Sequence, residues 1–372
     1  MQIVEIETYR LQVPLRTPFK TALRTVTSVD DLVVRIVLDN GLVGFGEAAP
    51  TLVITGDSLH SMHAVIHQVF KPLLVGRSIL DFNDLLRIVQ QAVVANRSAK
   101  AALEIALYDV RARSLGLPLY QLLGGGVAEL QTDITISVNP VAQMVDDAQA
   151  AVARGYQQLK IKLGTDAHLD VARVKAIAAA VPAGVKLRLD ANQAWTTKQS
   201  IGLMQQLEAA GIVAELLEQP VAAADLAGLS AVTAAIATPV LADESAFDLI
   251  QVLSIVQERR ADMINIKLMK TAGISQALQI AQLASVYRVP CMMGSMLESS
   301  ISVAAAAHVA AACGISVLDL DGPELCQFDP VVAAAIDKTS VTQFSGPNIT
   351  LNQTPGLGIE AVQGLQLWPW QA

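Results

Sequence analysis

Through the middle of a 372-residue chain, charged residues close a series of short apolar runs at nearly even spacing. They are Lys162 in LKIKLG, Asp190 in KLRLD, Glu218 in ELLEQP, Asp243 in PVLADES and Lys267 in MINIKLMK, with steps of 28, 28, 25 and 24 residues. Side chains alternate along a strand with a period of two, so Lys160 shares a face with Lys162. If Asp190, Glu218 and Asp243 converge, each like-charged pair at 4 Å costs about 4 kcal/mol at an effective dielectric of about 20. A cation, protonation, or pairing of one carboxylate with a nearby lysine must relieve that repulsion. An all-oxygen donor set without His or Cys selects a hard ion such as Mg²⁺. A lysine acts as a general base once burial and adjacent positive charge lower its pKa. Two such bases flanking a metal that grips a carboxylate suit one reaction. One lysine removes the α-proton, the metal stabilises the enediolate, and the other lysine returns a proton to the opposite face. The outcome is inversion at carbon.

A repeat of this length holds a strand, a loop, a helix and a return loop, and successive βα units close into a parallel barrel. The charges then fall at the C-terminal strand ends, where barrel active sites lie, with Lys162 and Lys267 facing each other across the ring. The barrel is expected to begin at TDITISVN, residues 132–139, with a helix near Val141 to Arg154. It continues through VPCMMGSMLES, which ends near Met296 and Glu298, to VLDLD, whose Asp319 and Asp321 share a face. Before it, Met1 to Val127 reads as an α+β domain: a strand, an irregular loop over PLRTPFKTALRTVTS, a second strand, a hairpin at Asn40-Gly41, then helices ending at Gly116. The expected division is 1–127, 128–340 for the barrel, and a final segment 341–372 that packs back on the first domain.

With 52% hydrophobic and 16% charged residues, the chain can bury a large core and is not disordered. A net charge of −8 argues against a nucleic-acid partner. Cys291, Cys313 and Cys326 have no CxxC spacing and suit a reducing compartment, so a cytoplasmic location is expected. The N-terminus lacks the apolar core of a signal peptide. Ser299 to Leu318 is uncharged and long enough to span a membrane, but its alanines and Gly314 read as a buried helix followed by a strand, so no membrane partner is expected. His60, His63 and His67 at helical spacing read as a polar helix face, not a metal cluster.

Taken together, these residues resemble the enolase superfamily, in its muconate-lactonising-enzyme subgroup. The resemblance rests on KxK at Lys160 and Lys162, on Asp190, Glu218 and Asp243, and on Lys267 in NIKLMK. GFGE at Gly44 to Glu47, ALEIALYDVRARSLGLPLYQLLGG at Ala102 to Gly125 and PGLGIE at Pro355 to Glu360 extend it over nearly the whole chain. It implies a (β/α)7β TIM-like barrel with a capping domain made from both chain ends, one Mg²⁺ per subunit, and loops near 17–27 and 50–58 that close over the substrate. Asp319 and Asp321 resemble the DxD with which dipeptide epimerases hold the substrate α-ammonium, and PFKTALRTV with Arg24 resembles the L-Ala-D/L-Glu epimerases, where this arginine pairs with a glutamate side chain. Lys160 and Met296 join the implied substrate contacts, and a Glu298 that lines the pocket would repel an acidic side chain and favour a neutral or cationic one. The implied activity is Mg-dependent epimerisation of dipeptides at the C-terminal residue by a homo-oligomer. The alternatives are elimination or cycloisomerisation on the same lysines, as in o-succinylbenzoate synthase or muconate cycloisomerase, and a barrel that binds without turnover. A metal-dependent hydrolase would call for histidine ligands, which are missing.

Overall fold

The structure, a computed structural model, describes residues 1–126, 129–332 and 340–367. The expected boundary at 127/128 and the tryptophans of WPW, Trp368 and Trp370, lie outside the described residues. Strands β1 (Ile3–Lys20), β2 (Thr25–Leu38) and β3 (Val43–Ala48) form an antiparallel meander. The segment expected to be an irregular loop is instead a long hairpin. β1 runs on to Lys20 across a register shift between Pro14 and Phe19, and it pairs again at Phe19 with Val26. Such a shift bends the strand and re-aims its tip, which carries Phe19 and Arg24 towards the barrel mouth.

A short strand β4 (Glu129–Gln131) leads to eight strands that pair in sequence order, every pair parallel. They are β5 (Ile134–Ile136), β6 (Gln158–Lys162), β7 (Lys186–Asp190), β8 (Leu216–Glu218), β9 (Val240–Ala242), β10 (Met263–Lys267), β11 (Cys291–Gly294) and β12 (Val317–Asp319). At the seam between first and last strands, Asp133 N–H donates to Leu318 O at 3.4 Å and Leu320 N–H to Thr132 Oγ1 at 2.7 Å. This is the expected TIM-like α/β barrel. Its strands are buried on both faces and so read as nearly continuous apolar runs. Leu216, Leu241, Met263 and Met292 make a separate apolar cluster, with Leu216 and Leu241 two residues before Glu218 and Asp243.

The C-terminal segment returns to both parts of the chain. After β13 (Val331–Val332), β14 (Gln343–Ser345) and β15 (Asn348–Thr350) form a sheet with β4, β16 (Ala361–Val362) pairs with β13, and β17 (Gln366–Leu367) pairs with β1. The uncharged stretch is helix Ser300–Cys313, stopped by Gly314 at φ 66, and then β12. Among the described residues no helix is long and apolar enough to cross a membrane.

The family motifs outside the barrel turn out to dock one part on the other. A Cβ on Gly46 would lie 2.0 Å from Ala102 O and one on Gly44 2.4 Å from Ala106 O, so glycine at both positions lets β3 lie directly on helix Arg97–Ser114. Glu47, fully buried, then accepts hydrogen bonds from Ser299 N–H, Ser302 N–H and Ser302 Oγ at the start of barrel helix Ser300–Cys313. A carboxylate at a helix N-terminus satisfies donors that have no partner within the helix. Glu104 does the same for helix Ile274–Val286, accepting from Ser275 N–H at 2.8 Å and Ser275 Oγ at 2.6 Å. Asp109 accepts from Phe45 N–H and Leu357 N–H, tying GFGE to PGLGIE. The histidines depart from the expected polar face: His63 is buried, and Thr8 Oγ1 lies 2.7 Å from its Nδ1 and 2.8 Å from His67 Nε2.

Candidate active site

Lys162, Asp190 and Glu218 are direct neighbours in register, so they form one row across β6, β7 and β8. Asp243 follows the end of β9 and Lys267 closes β10, four strands from β6 in an eight-strand ring. The backbone beyond these ends is strained, with left-handed φ at Asn192 (44°), Gln193 (69°) and Gln219 (33°). Gln219 holds the next turn in place. Its Oε1 accepts from Asp243 N–H at 2.9 Å and Ser245 N–H at 3.1 Å.

Each carboxylate of the predicted trio lies against an ammonium. Lys160 Nζ is 2.6 Å from Glu218 Oε2, 3.2 Å from Asp190 Oδ2 and 2.6 Å from Asp319 Oδ2. Lys162 Nζ is 2.6 Å from Asp190 Oδ2, and Lys267 Nζ is 2.8 Å from Asp243 Oδ2. Lys270, a buried lysine to which the sequence reading gave no role, lies 2.5 Å from Asp243 Oδ1 and donates to Asp243 O and Asn265 O. At Lys267 burial and the surrounding carboxylates act in opposite directions. Burial opposes its charge, yet the carboxylates, Asp243 foremost, outweigh burial and hold its pKa above the ordinary lysine range. Lys160 is held up in the same way, against burial, by Asp319, Glu218 and Asp190.

The carboxylates diverge for stated reasons. Burial and then the Asp190 charge push Glu218 up to about 7 despite Lys160. Asp190 and Asp243 are buried too, but Lys162 with Lys160, and Lys267 with Lys270, hold them below the usual carboxylate range. Glu244, which the sequence reading passed over, is buried with neither oxygen hydrogen-bonded, and burial followed by Asp243 pushes it up to about 8. Its adjacency to Asp243 in the sequence was the available signal.

The donor chemistry fits a divalent cation. Glu218 Oε2, Asp243 Oδ1, Asn192 Oδ1 and Asn265 Oδ1 are buried acceptors without a hydrogen bond; the first two touch Lys160 and Lys270 only off the bonding direction. Among the described residues, however, the acidic group whose oxygens all lie within 4.8 Å of one another is Asp133, Asp319 and Asp321, because the lysines stand between Asp190, Glu218 and Asp243.

Above these charges opens a cavity that encloses about 560 Å³ counted out to open solvent. Lys160, Lys162, Lys267, Asp319, Asp321, Met296 and Arg24 line it, with Phe19, Leu23, Val53 and Ile54 from the two segments expected to cover a substrate. Glu298 is not among the lining residues: its Oε1 accepts from Met296 N–H at 2.6 Å, and its neighbours are Ser302 and Glu47. The backbone donor turns that carboxylate away from the cavity. Arg24 is half-buried, and its guanidinium makes no hydrogen bond among the described residues. Asp319 is ion-paired to Lys160, and Asp321 Oδ2 accepts from Thr135 N–H at 2.7 Å.

Residues 3–124 match the family described as mandelate racemase / muconate lactonizing enzyme, N-terminal domain, and residues 143–364 match enolase C-terminal domain-like. The L-Ala-D/L-Glu epimerase of Bacillus subtilis is 48% identical over 96% of this chain and 97% of its own. The hydrophobic dipeptide epimerase of Enterococcus faecalis is 39% identical over 96% of this chain and 99% of its own. A substrate-liganded structure of the Bacillus subtilis enzyme superposes with a TM-score of 0.94 at 47% identity, covering 97% of this chain and 99% of that one. The Enterococcus faecalis enzyme complexed with Mg and L-Leu-L-Tyr gives 0.91 at 38% identity, covering 97% and 100%.

Proposed function

The chain belongs to the mandelate racemase / muconate lactonizing enzyme family of the enolase superfamily, and from that premise we propose that it is a Mg-dependent dipeptide epimerase. The reaction is inversion at the α-carbon of the C-terminal residue by 1,1-proton transfer. One observation carries it: Lys162 and Lys267 line one cavity from strands four apart, each against a different carboxylate.

Asp190, Glu218 and Asp243 would hold the ion, whose charge, when it is bound, stabilises the enediolate formed from the substrate carboxylate. Lys162 and Lys267 exchange roles between the two directions: the one on the side of the α-hydrogen accepts it, and the other donates from the opposite side. Lys160, enclosed by Asp319, Glu218 and Asp190, keeps its proton and offers fixed positive charge to the substrate carboxylate. Asp319 and Asp321 receive the α-ammonium, two carboxylates facing one cation. Cycloisomerisation or elimination on the same lysines would leave Asp321, which has no ion pair among the described residues, without a cationic partner.

Among dipeptides, Arg24 supports an acidic C-terminal residue, since a half-buried guanidinium that makes no hydrogen bond among the described residues gains most from an anionic side chain. Glu298, facing Met296 N–H, offers no repulsion there. The same reading takes 1–127 as the cap, 128–340 as the barrel and 341–372 as a segment returning to the cap, supported by the pairing of β17 with β1. It takes the enzyme as cytoplasmic, supported by free Cys291, Cys313 and Cys326, and as a homo-oligomer, supported by exposed Ile250 and Val286 on barrel helices.

The test is incubation with L-Ala-L-Glu in D₂O, with and without Mg²⁺. Deuterium should enter the glutamate α-carbon and L-Ala-D-Glu should accumulate, both only with the metal. A dipeptide panel that gives neither signal rejects the assignment.

A further inference from the structure

Asp133 is a fully buried carboxylate that none of the roles above uses. Its Oδ2 accepts from Arg188 Nη1 at 2.8 Å, while Oδ1 is buried without a hydrogen-bond partner. Arg188 is held in place on that side, because Nη1 also donates to Leu318 O and Nε donates to Glu215 Oε2, each at 2.6 Å. Asp133, Asp319 and Asp321 each offer an oxygen within 4.8 Å of the others. Asp319 and Asp321 line the cavity, and Asp133 is buried beside them.

Oxygens within 4.8 Å of one another leave room for a cation among them. An octahedral Mg²⁺ at about 2.1 Å draws neighbouring oxygens to about 3 Å of one another. A tetrahedral ammonium whose three N–H groups each donate over about 2.8 Å spreads its acceptors to about 4.6 Å. Asp133 Oδ1 is buried without a hydrogen bond, which leaves it able to accept one from an ammonium.

We propose that Asp133 is the third carboxylate of the cradle for the dipeptide α-ammonium, so that a primary ammonium meets one oxygen of Asp133, Asp319 and Asp321 through each of its N–H bonds. The inference rests on the assignment of Asp319 and Asp321 made above and adds to it the residue that requires all three hydrogens. The electrostatics agree. Burial and then Asp319 raise Asp133 well above the usual carboxylate range, and burial followed by Asp319 pushes Asp321 up to about 6. Asp319, though buried, is held below the usual range by Lys160, so the shortage of positive charge falls on Asp133 and Asp321, where an ammonium supplies it.

The experiment compares L-Ala-L-Glu with its desamino analogue propionyl-L-Glu, by α-proton exchange in D₂O, in the wild type, Asp133→Asn and Asp321→Asn. Asparagine keeps the acceptor for Arg188 and removes the charge. Asp133→Asn should raise the dipeptide KM at least tenfold with kcat within about threefold, and the preference for the dipeptide in kcat/KM should fall at least tenfold. An unaltered KM, or an equal loss on both substrates, overturns the role of Asp133. If Asp321→Asn also leaves the preference intact, the two-aspartate assignment has failed as well; if only Asp321→Asn abolishes it, the third carboxylate alone is lost. Should Asp133→Asn not fold, the wild type decides with N-methyl-L-Ala-L-Glu, whose two N–H donors satisfy two carboxylates but not three. A KM rise of tenfold or more is expected, and a rise below twofold overturns the proposal.

Discussion

Replacing Arg24 by methionine should separate acidic from apolar dipeptides. The guanidinium lines the cavity and makes no hydrogen bond to protein among the described residues. The carboxyl that opposes its burial is Asp31. Asp31 is itself buried, and burial with Glu47 and Glu298 nearby raises it well above the usual carboxylate range, which weakens its hold on the arginine charge. A hydrogen bond to a charged group contributes about 1.5–3 kcal/mol, and truncating one partner of a desolvated pair costs about 2–5 kcal/mol. Arg24 is only half-buried, so solvent screening favours the lower part of that range, about 2–3 kcal/mol. That corresponds to about a 30- to 150-fold loss of kcat/KM. Methionine retains most of the apolar stem, so L-Ala-L-Leu should change by less than about threefold. Both rates are read by NMR of the exchanging α-proton. An equal loss on the two dipeptides, or a loss on L-Ala-L-Glu below threefold, refutes the reasoning.

Lys162→Ala and Lys267→Ala should each abolish epimerisation, with one of them still exchanging the α-proton of a single enantiomer; full epimerisation by both would end the two-base mechanism. Glu47→Ala removes three hydrogen bonds at the start of helix Ser300–Cys313 and should cost about 2–4 kcal/mol in urea denaturation, against which a loss under 1 kcal/mol would count. Burial raises Glu298 from 4.5 to about 7, so its contribution to stability is complete below pH 4.5 and is lost as pH rises through 7, in total about 3 kcal/mol. Glu298→Gln should therefore flatten the fall in stability between pH 5 and pH 8, and an unchanged slope in denaturant titrations would contradict that origin.

The barrel was legible in the sequence because its signal is local. A buried strand is a short apolar run, its face alternation is a property of the backbone, and one βα unit takes a nearly fixed number of residues. Lys162, Asp190, Glu218 and Lys267 could therefore be read as strand ends before any contact was known. The hairpin tip near Pro14 to Phe19 was harder, because its polar, proline-containing sequence resembles a loop and only pairing with β2 makes it a strand.

Which charge meets which was not local. Lys160 reaches Asp319 across 159 positions, Arg188 reaches Asp133 across 55, and Glu47 caps a helix 252 residues away. GFGE and ALEIALYDVRAR stood out as strings, but their role in docking the cap on barrel helices follows from Glu47, Glu104 and Asp109 meeting free N–H groups in space. Glu298 turned from the cavity because a backbone donor lay two residues back, and Asp133 carried no sequence pattern at all. The covalent chain alone determined where strands end and which residue types stand there. Distances between those ends, and with them the ion pairs, the buried proton sites and the open acceptors, were decided only when the sheet closed. Coulomb and hydrogen-bond energies depend on separation in space, and sequence separation does not encode it.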